Sequence, residues 1–149
     1  MASFALNTKA RFNYELLEEL EAGIELLGLE TKAVRSGKMS LEGAHVTVRG
    51  GEAYLVGATV SPYQPGNTPK DYNPTRNRKL LMTRKEIAHC EKYEGTKGLT
   101  IVPISVYNKG RRIKVNVAIA RGKKKFDKRE TLKRREADKD MARSLKTKR

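Results

Sequence analysis

The chain of 149 residues contains one cysteine, Cys90, and no tryptophan. A single thiol excludes internal disulfides and any zinc site built from several cysteines. Histidine is also scarce, at His45 and His89. His89 and Cys90 are neighbours on one predicted helix, where successive side chains diverge by about 100° and chelate poorly. No nucleophile or metal constellation stands out, so the chain is not expected to be an enzyme or to carry a cofactor. Glu18, Glu19, Glu21 and Glu25 form an acidic group, but without a partner histidine they read as helix surface or salt-bridge partners. No apolar run reaches the ~18 residues that a membrane helix needs. The start, Met1-Ala2-Ser3-Phe4, lacks the charged and apolar regions of a secretory signal. A cytoplasmic protein is expected.

What the chain has in excess is positive charge: 32 Lys and Arg against 17 Asp and Glu, a net +15. The last 29 residues, 121–149, hold 14 of the basic and 5 of the acidic residues, with no proline and no glycine after Gly122. Such a density repels itself in water and is relieved by a polyanion, through release of condensed counterions. A membrane partner fits less well, because Leu132, Ala137, Met141 and Leu145 supply too thin an apolar face for an interfacial helix. Glu130 can pair with Arg134 and Asp140 with Arg143, while Ala137, Met141 and Leu145 make a narrow stripe. The tail is therefore expected to be disordered when free and helical on a phosphate-lined surface; the plainer alternative is a flexible, solubilising end. Two parts follow: a body over 1–120 and a basic tail over 121–149.

Along the body, Asn13 can cap a short helix from Tyr14 to Glu21, with Leu16, Leu17 and Leu20 on one face and Ala22-Gly23 as its stop. A strand over Ile24 to Leu29 and a helical turn or two over Glu30 to Arg35 follow, ending at Ser36-Gly37. Ala44 to Val48 and Ala53 to Val60 flank Gly50-Gly51 and predict a hairpin. Four of the five prolines fall between Ser61 and Pro74, which predicts a long surface loop. Thr83-Arg84-Lys85-Glu86 matches a capping box that opens a helix to about Tyr93. Leu99 to Val106 and Ile113 to Ala120 predict a second hairpin around Asn108-Lys109-Gly110. The fold class is mainly β: an OB-like antiparallel barrel with two or three short helices packed outside.

Arg76-Asn77-Arg78-Lys79 follows the proline-rich loop and sets three cations near Tyr63 and Tyr72. Guanidinium groups can grip phosphate and tyrosines can stack on unpaired bases, although a solvated charge cluster is the plain alternative. Arg121-Gly122-Lys123-Lys124-Lys125 lacks the spacing and the Ser or Thr of a nucleotide-binding phosphate loop.

Five blocks occur in an order that resembles one family, the small protein B proteins that bind transfer-messenger RNA. They are Leu6-Asn7-Thr8-Lys9-Ala10, Glu21-Ala22-Gly23-Ile24, Gly28 through Arg35, Pro74 through Leu81, and Gly122 through Arg129. The resemblance implies an OB-like body that binds the tRNA-like domain of that RNA. It also implies delivery with elongation factor Tu to stalled ribosomes for trans-translation, with the tail in the empty mRNA channel and decoding site. On this basis Asn7, Glu21, Leu81 and Lys114 are expected at RNA, joined by Arg76, Arg78, Lys79, Lys123, Lys124 and Lys125. Phe126, Asp127, Lys128, Arg129, Lys133, Arg134, Arg135, Met141 and Arg143 are expected to contact the ribosome. Relative to the family, Asn73 replaces a usual Asp, Ala33 a common Ser and Phe126 a frequent His. A stacking role is expected for Phe126. The body is expected to act as a monomer, away from membranes. The competing reading is a general ribosomal or single-stranded RNA-binding OB protein, which would not discriminate a tRNA-like fold.

Overall fold

Strand β1 (Ser3–Leu6) and the single-turn helix α1 (Ala10–Asn13) lead into an eleven-residue strand, β2 (Tyr14–Ile24). The structure is a computed structural model, and it describes residues 3–123. Everything expected of the tail from Lys124 onward lies outside the described residues. The acidic helix expected over Tyr14 to Glu21 is a strand instead. Glu and Leu favour helix locally, but β2 pairs along its length with β9 (Arg112–Gly122), and tertiary pairing overrides a weak local preference. Leu20 and Ala22 turn toward the core, and Glu19 and Glu21 turn away. A register shift between Leu16 and Glu18 leaves Leu17 exposed at 49%.

The strand expected over Ile24 to Leu29 ends at Ile24, and helix α2 occupies Gly28–Arg35. A two-residue β3 (Met39–Ser40) pairs with β6 (Thr59–Val60). The first hairpin is present as β4 (His45–Arg49) and β5 (Glu52–Val56), with Gly50 and Gly51 at φ of 57° and 75°, which glycine adopts without strain. Between β6 and β7 (Arg78–Leu81) the proline-rich segment forms a loop with one 3-10 turn at Pro65–Asn67. Helix α3 (Arg84–Glu94) opens with the expected capping box: Thr83 Oγ1 accepts the Glu86 N–H at 3.2 Å, and Glu86 accepts the Thr83 N–H at 2.9 Å. The second hairpin, β8 (Leu99–Lys109) with β9, is longer than expected and runs to Gly122.

These strands form one antiparallel sheet in the order β1-β8-β9-β2-β7-β5-β4. The ladder does not close, but β4 lies against β8 and α3 packs on both, an arrangement compatible with an OB-like barrel. The free edge of β4 is covered from α3: Glu94 accepts the Thr47 hydroxyl at 2.6 Å and the Val48 N–H at 2.8 Å. Inside the curl, Leu55, Leu80, Ile101, Val106, Val115, Val117 and Ile119 form the main core. On the opposite face α1 covers a smaller cluster of Val102, Ile104, Ala118 and Ala120.

Candidate nucleic-acid interface

Residues directly opposite one another on antiparallel strands share a face of the sheet. The register places Tyr107 of β8 opposite Lys114 of β9, Lys114 opposite Gly23 of β2, and Gly23 opposite Leu81 of β7. One step along, Ser105 faces Asn116 and Asn116 faces Glu21. Val115 and Val117, between these positions, point into the core. Leu81, Lys114, Tyr107, Asn116 and Glu21 therefore lie on the outer face, beyond the part that α1 covers. Leu81 is 53% exposed there. The absence of a side chain at Gly23 makes room for it, since a Cβ at that position would meet the Leu81 Cβ at 3.1 Å.

Glu21 is an oriented carboxylate on this face. It accepts the Tyr107 hydroxyl and, at 3.0 Å, the Lys109 ammonium. The Tyr107 hydrogen bond, then that of Lys109, holds the Glu21 carboxyl below its ordinary pKa against the smaller opposing effect of burial, with Lys114 adding attraction. Burial, reinforced by the adjacent carboxylate, pushes the Tyr107 phenol up to about 12. The carboxylate stays ionised and keeps acceptor capacity for a base edge or a ribose hydroxyl. Tyr107 and Lys109 are the partners that sequence reasoning missed. Finding them required the β8-β9-β2 register, which a helix at Tyr14 to Glu21 does not have.

Asn7 stands apart. It follows β1 directly, its backbone N–H donates to the Ile104 carbonyl at 2.8 Å, and its side-chain amide donates to the Pro103 carbonyl at 2.9 Å. Three strands, β8, β9 and β2, lie between β1 and β7 in the sheet, so Asn7 is not part of the Leu81 row.

The basic run after the loop needs correction. Strand alternation turns Arg78 inward with Leu80, and its side chain has no exposed surface, so it cannot grip an RNA phosphate. Its guanidinium donates to Glu30 from Nε at 2.9 Å and Nη2 at 2.6 Å, and to the carbonyls of Ala58, Arg76 and Pro74. Arg76 also pairs with Glu30. Tyr72, expected as a stacking platform, donates its hydroxyl to the Val60 carbonyl at 2.9 Å and to Glu30 at 3.1 Å. With its acidic partner 46 to 48 residues upstream, the run looks uniformly exposed in sequence, whereas in space Arg78 is interior and Arg76 is partly covered. Burial works to raise the Glu30 pKa, but hydrogen bonds from Arg76, the Leu27 N–H and Arg78 outweigh it and hold the group ionised. Lys79, by contrast, turns outward and pairs with Glu52 at 3.2 Å. Tyr63 is exposed, with the Lys38 ammonium 5.8 Å from its ring centre.

Two more of the acidic group are paired: Glu18 meets His89 Nε2 at 2.6 Å, and Glu19 meets Arg11 at 3.4 Å. Among the described residues no group of three His, Cys, Asp or Glu is placed to hold a metal ion. Lys123 lies at the end of β9, donating from Nζ to the Arg11 carbonyl at 2.8 Å. Lys124, Lys125 and the expected ribosome contacts Phe126, Asp127, Lys128, Arg129, Lys133, Arg134, Arg135, Met141 and Arg143 lie outside the described residues.

A family model described as SmpB protein matches residues 4–147. The SsrA-binding protein of Latilactobacillus sakei is 50% identical over 141 residues, spanning 95% of this chain and 90% of its own length. That of Microcystis aeruginosa is 48% identical over 140 residues, spanning 94% and 91%. A chain in a solved structure described as "tmRNA-SmpB: a journey to the center of the bacterial ribosome" is similar with a TM-score of 0.68 and 37% identity. The match covers 85% of this chain and 92% of that one.

Proposed function

The chain belongs to the SmpB family, and from that premise we propose how its surface divides the work of trans-translation. It is an RNA-binding protein, not an enzyme, that binds transfer-messenger RNA and acts with it on the ribosome. The body takes the tRNA-like domain on the outer face of the sheet through Glu21, Leu81 and Lys114, with Asn7 at the far edge. The basic tail over 121–149, with Phe126 and the Asp127-Lys128-Arg129 motif, takes the mRNA channel and decoding site. The protein works as a cytoplasmic monomer handed over in complex with elongation factor Tu. No helix among the described residues is long and apolar enough to cross a membrane.

The observation that carries the division is Glu21. Phosphate alone rewards only positive charge, whereas a carboxylate fixed by Tyr107 and Lys109 repels phosphate and favours hydrogen-bond donors on bases and riboses. Selectivity then comes from shape and a few polar contacts rather than from net charge. Sequencing the RNA that copurifies with the full chain from its expression host tests this reading. Enrichment of transfer-messenger RNA over ribosomal and messenger fragments is expected, and a pool in proportion to cellular abundance would overturn it.

A further inference from the structure

Next to the Lys114-Gly23-Leu81 row the outer face ends in a concavity of about 380 Å³. Its apolar part is contributed by Leu81, Ile24 and Ile113, and its rim by Arg35, Arg111 and Arg112. Arg35 is the last residue of α2, Arg111 sits in the β8–β9 turn, and Arg112 opens β9; both of the latter are exposed. Arg35 donates from Nη2 to the Arg111 carbonyl at 3.1 Å, which ties the helix end to the turn and fixes the rim.

Two features mark this concavity as a site for phosphate. No aspartate or glutamate lines it. Among the described residues neither the three arginines nor Lys114 forms an ion pair, whereas Lys9, Lys79, Lys109 and Arg121 are each held by a glutamate. Converging, uncompensated guanidinium groups raise the local potential, and a polyanion relieves it with gain of counterion entropy. Arginine is also the side chain whose planar fork matches phosphate oxygens in pairs. The apolar floor beneath suits the carbon face of a ribose better than an acidic peptide, whose carboxylates would need to be carried over Leu81 and Ile113 on short side chains.

We infer that this concavity seats a sugar–phosphate segment of the bound RNA, the ribose against Leu81 and Ile113 and the phosphates on Arg111 and Arg112. The RNA-binding face thereby extends from the sheet onto the α2 terminus and the β8–β9 turn. The inference rests on the reading of the outer face as the interface for tRNA-like RNA.

The test measures the affinity of the full chain for the isolated tRNA-like domain across a salt series. Arg111→Ala/Arg112→Ala is compared with Arg111→Lys/Arg112→Lys and with the control Lys85→Ala/Lys97→Ala, which removes two exposed charges outside the concavity. The alanine pair is expected to lower the salt slope by about 2 and weaken binding by about tenfold or more at moderate salt. The lysine pair is expected to restore the slope, and the control to leave it near wild type. A slope for the alanine pair equal to wild type, or no lower than that of the control, overturns the inference. Both arginines are exposed at the β8–β9 connection, so an unchanged thermal melt verifies that each variant is folded. If wild type shows no preference for tRNA-like over unstructured RNA, the reading of the outer face fails, while the slopes still report whether the concavity takes phosphate.

Discussion

Arg78 Nη2 lies 2.6 Å from Glu30 Oε2, and neither side chain has any exposed surface. The pair joins β7 to α2, and through Tyr72 and the Pro74 carbonyl it also pins the proline-rich loop to the body. Removing Arg78 takes two donors from the buried Glu30, which keeps only Arg76, Tyr72 and the Leu27 N–H, and leaves the Ala58, Arg76 and Pro74 carbonyls without their side-chain donor. Arg78→Ala should cost ~3–5 kcal/mol in urea unfolding, and Arg78→Met/Glu30→Leu should recover only part of that, because it still strips the carbonyls of Ala58, Arg76 and Pro74, the Leu27 N–H and the Arg76 guanidinium of their partners. A cost for Arg78→Ala below about 1 kcal/mol would mean the network contributes little.

The same carboxylate sets an acid limit. Its folded pKa lies below the ordinary 4.5, so ionisation of this carboxyl favours the folded state. That stabilisation is complete above the unfolded value and is lost as pH falls through the depressed folded one. Urea midpoints followed from neutral pH downward should fall in wild type below about pH 4.5. Glu30→Gln, destabilised throughout, should show a shallower fall. Parallel curves for the two proteins would remove Glu30 as a source of the acid sensitivity.

Cys90 is fully buried on α3, and burial pushes its thiol up to about 11, with Glu86, Glu18 and Glu94 adding to the rise. It should resist alkylation in the folded protein at mildly alkaline pH and react within minutes in urea. Equal rates in the two conditions would contradict its burial.

Leu81→Ala separates binding from folding. The side chain is half exposed, so the loss should change stability by no more than about 0.5 kcal/mol, while affinity for the tRNA-like domain falls severalfold. Gly23→Ala should do the reverse in part, crowding the Leu81 Cβ and costing ~1–3 kcal/mol as an overpacked contact. A thermal melt and a filter-binding titration on each variant decide the matter. Unchanged affinity in Leu81→Ala would take that residue out of the interface.

Local chemistry made parts of this fold legible in the sequence. Gly50-Gly51 announced its turn because two consecutive positive φ angles require such residues, and Thr83 with Glu86 announced α3 because the capping bonds join near neighbours. Long-range partners were not legible. The Leu16, Leu17 and Leu20 spacing fits a helix, and only the pairing with β9 makes a strand of it. Arg78 carries no local sign that Glu30 awaits it in the interior, so a buried structural contact looked like a surface cation. Glu21, Leu81 and Lys114 came from the family resemblance, and the sheet register brings those three onto one face while leaving Asn7 at the β1 edge.

The central claim is that an oriented carboxylate among cations makes the outer face selective for a folded, tRNA-like RNA. Competition binding at about 150 mM salt, with the tRNA-like domain labelled and either itself or an unstructured RNA of equal length as competitor, tests it in wild type and Glu21→Gln. The account predicts that wild type favours the tRNA-like domain by at least about tenfold, and that Glu21→Gln lowers this ratio without weakening its hold on the unstructured RNA. Equal competition by the two RNAs in wild type, or an unaltered ratio in Glu21→Gln, would contradict it.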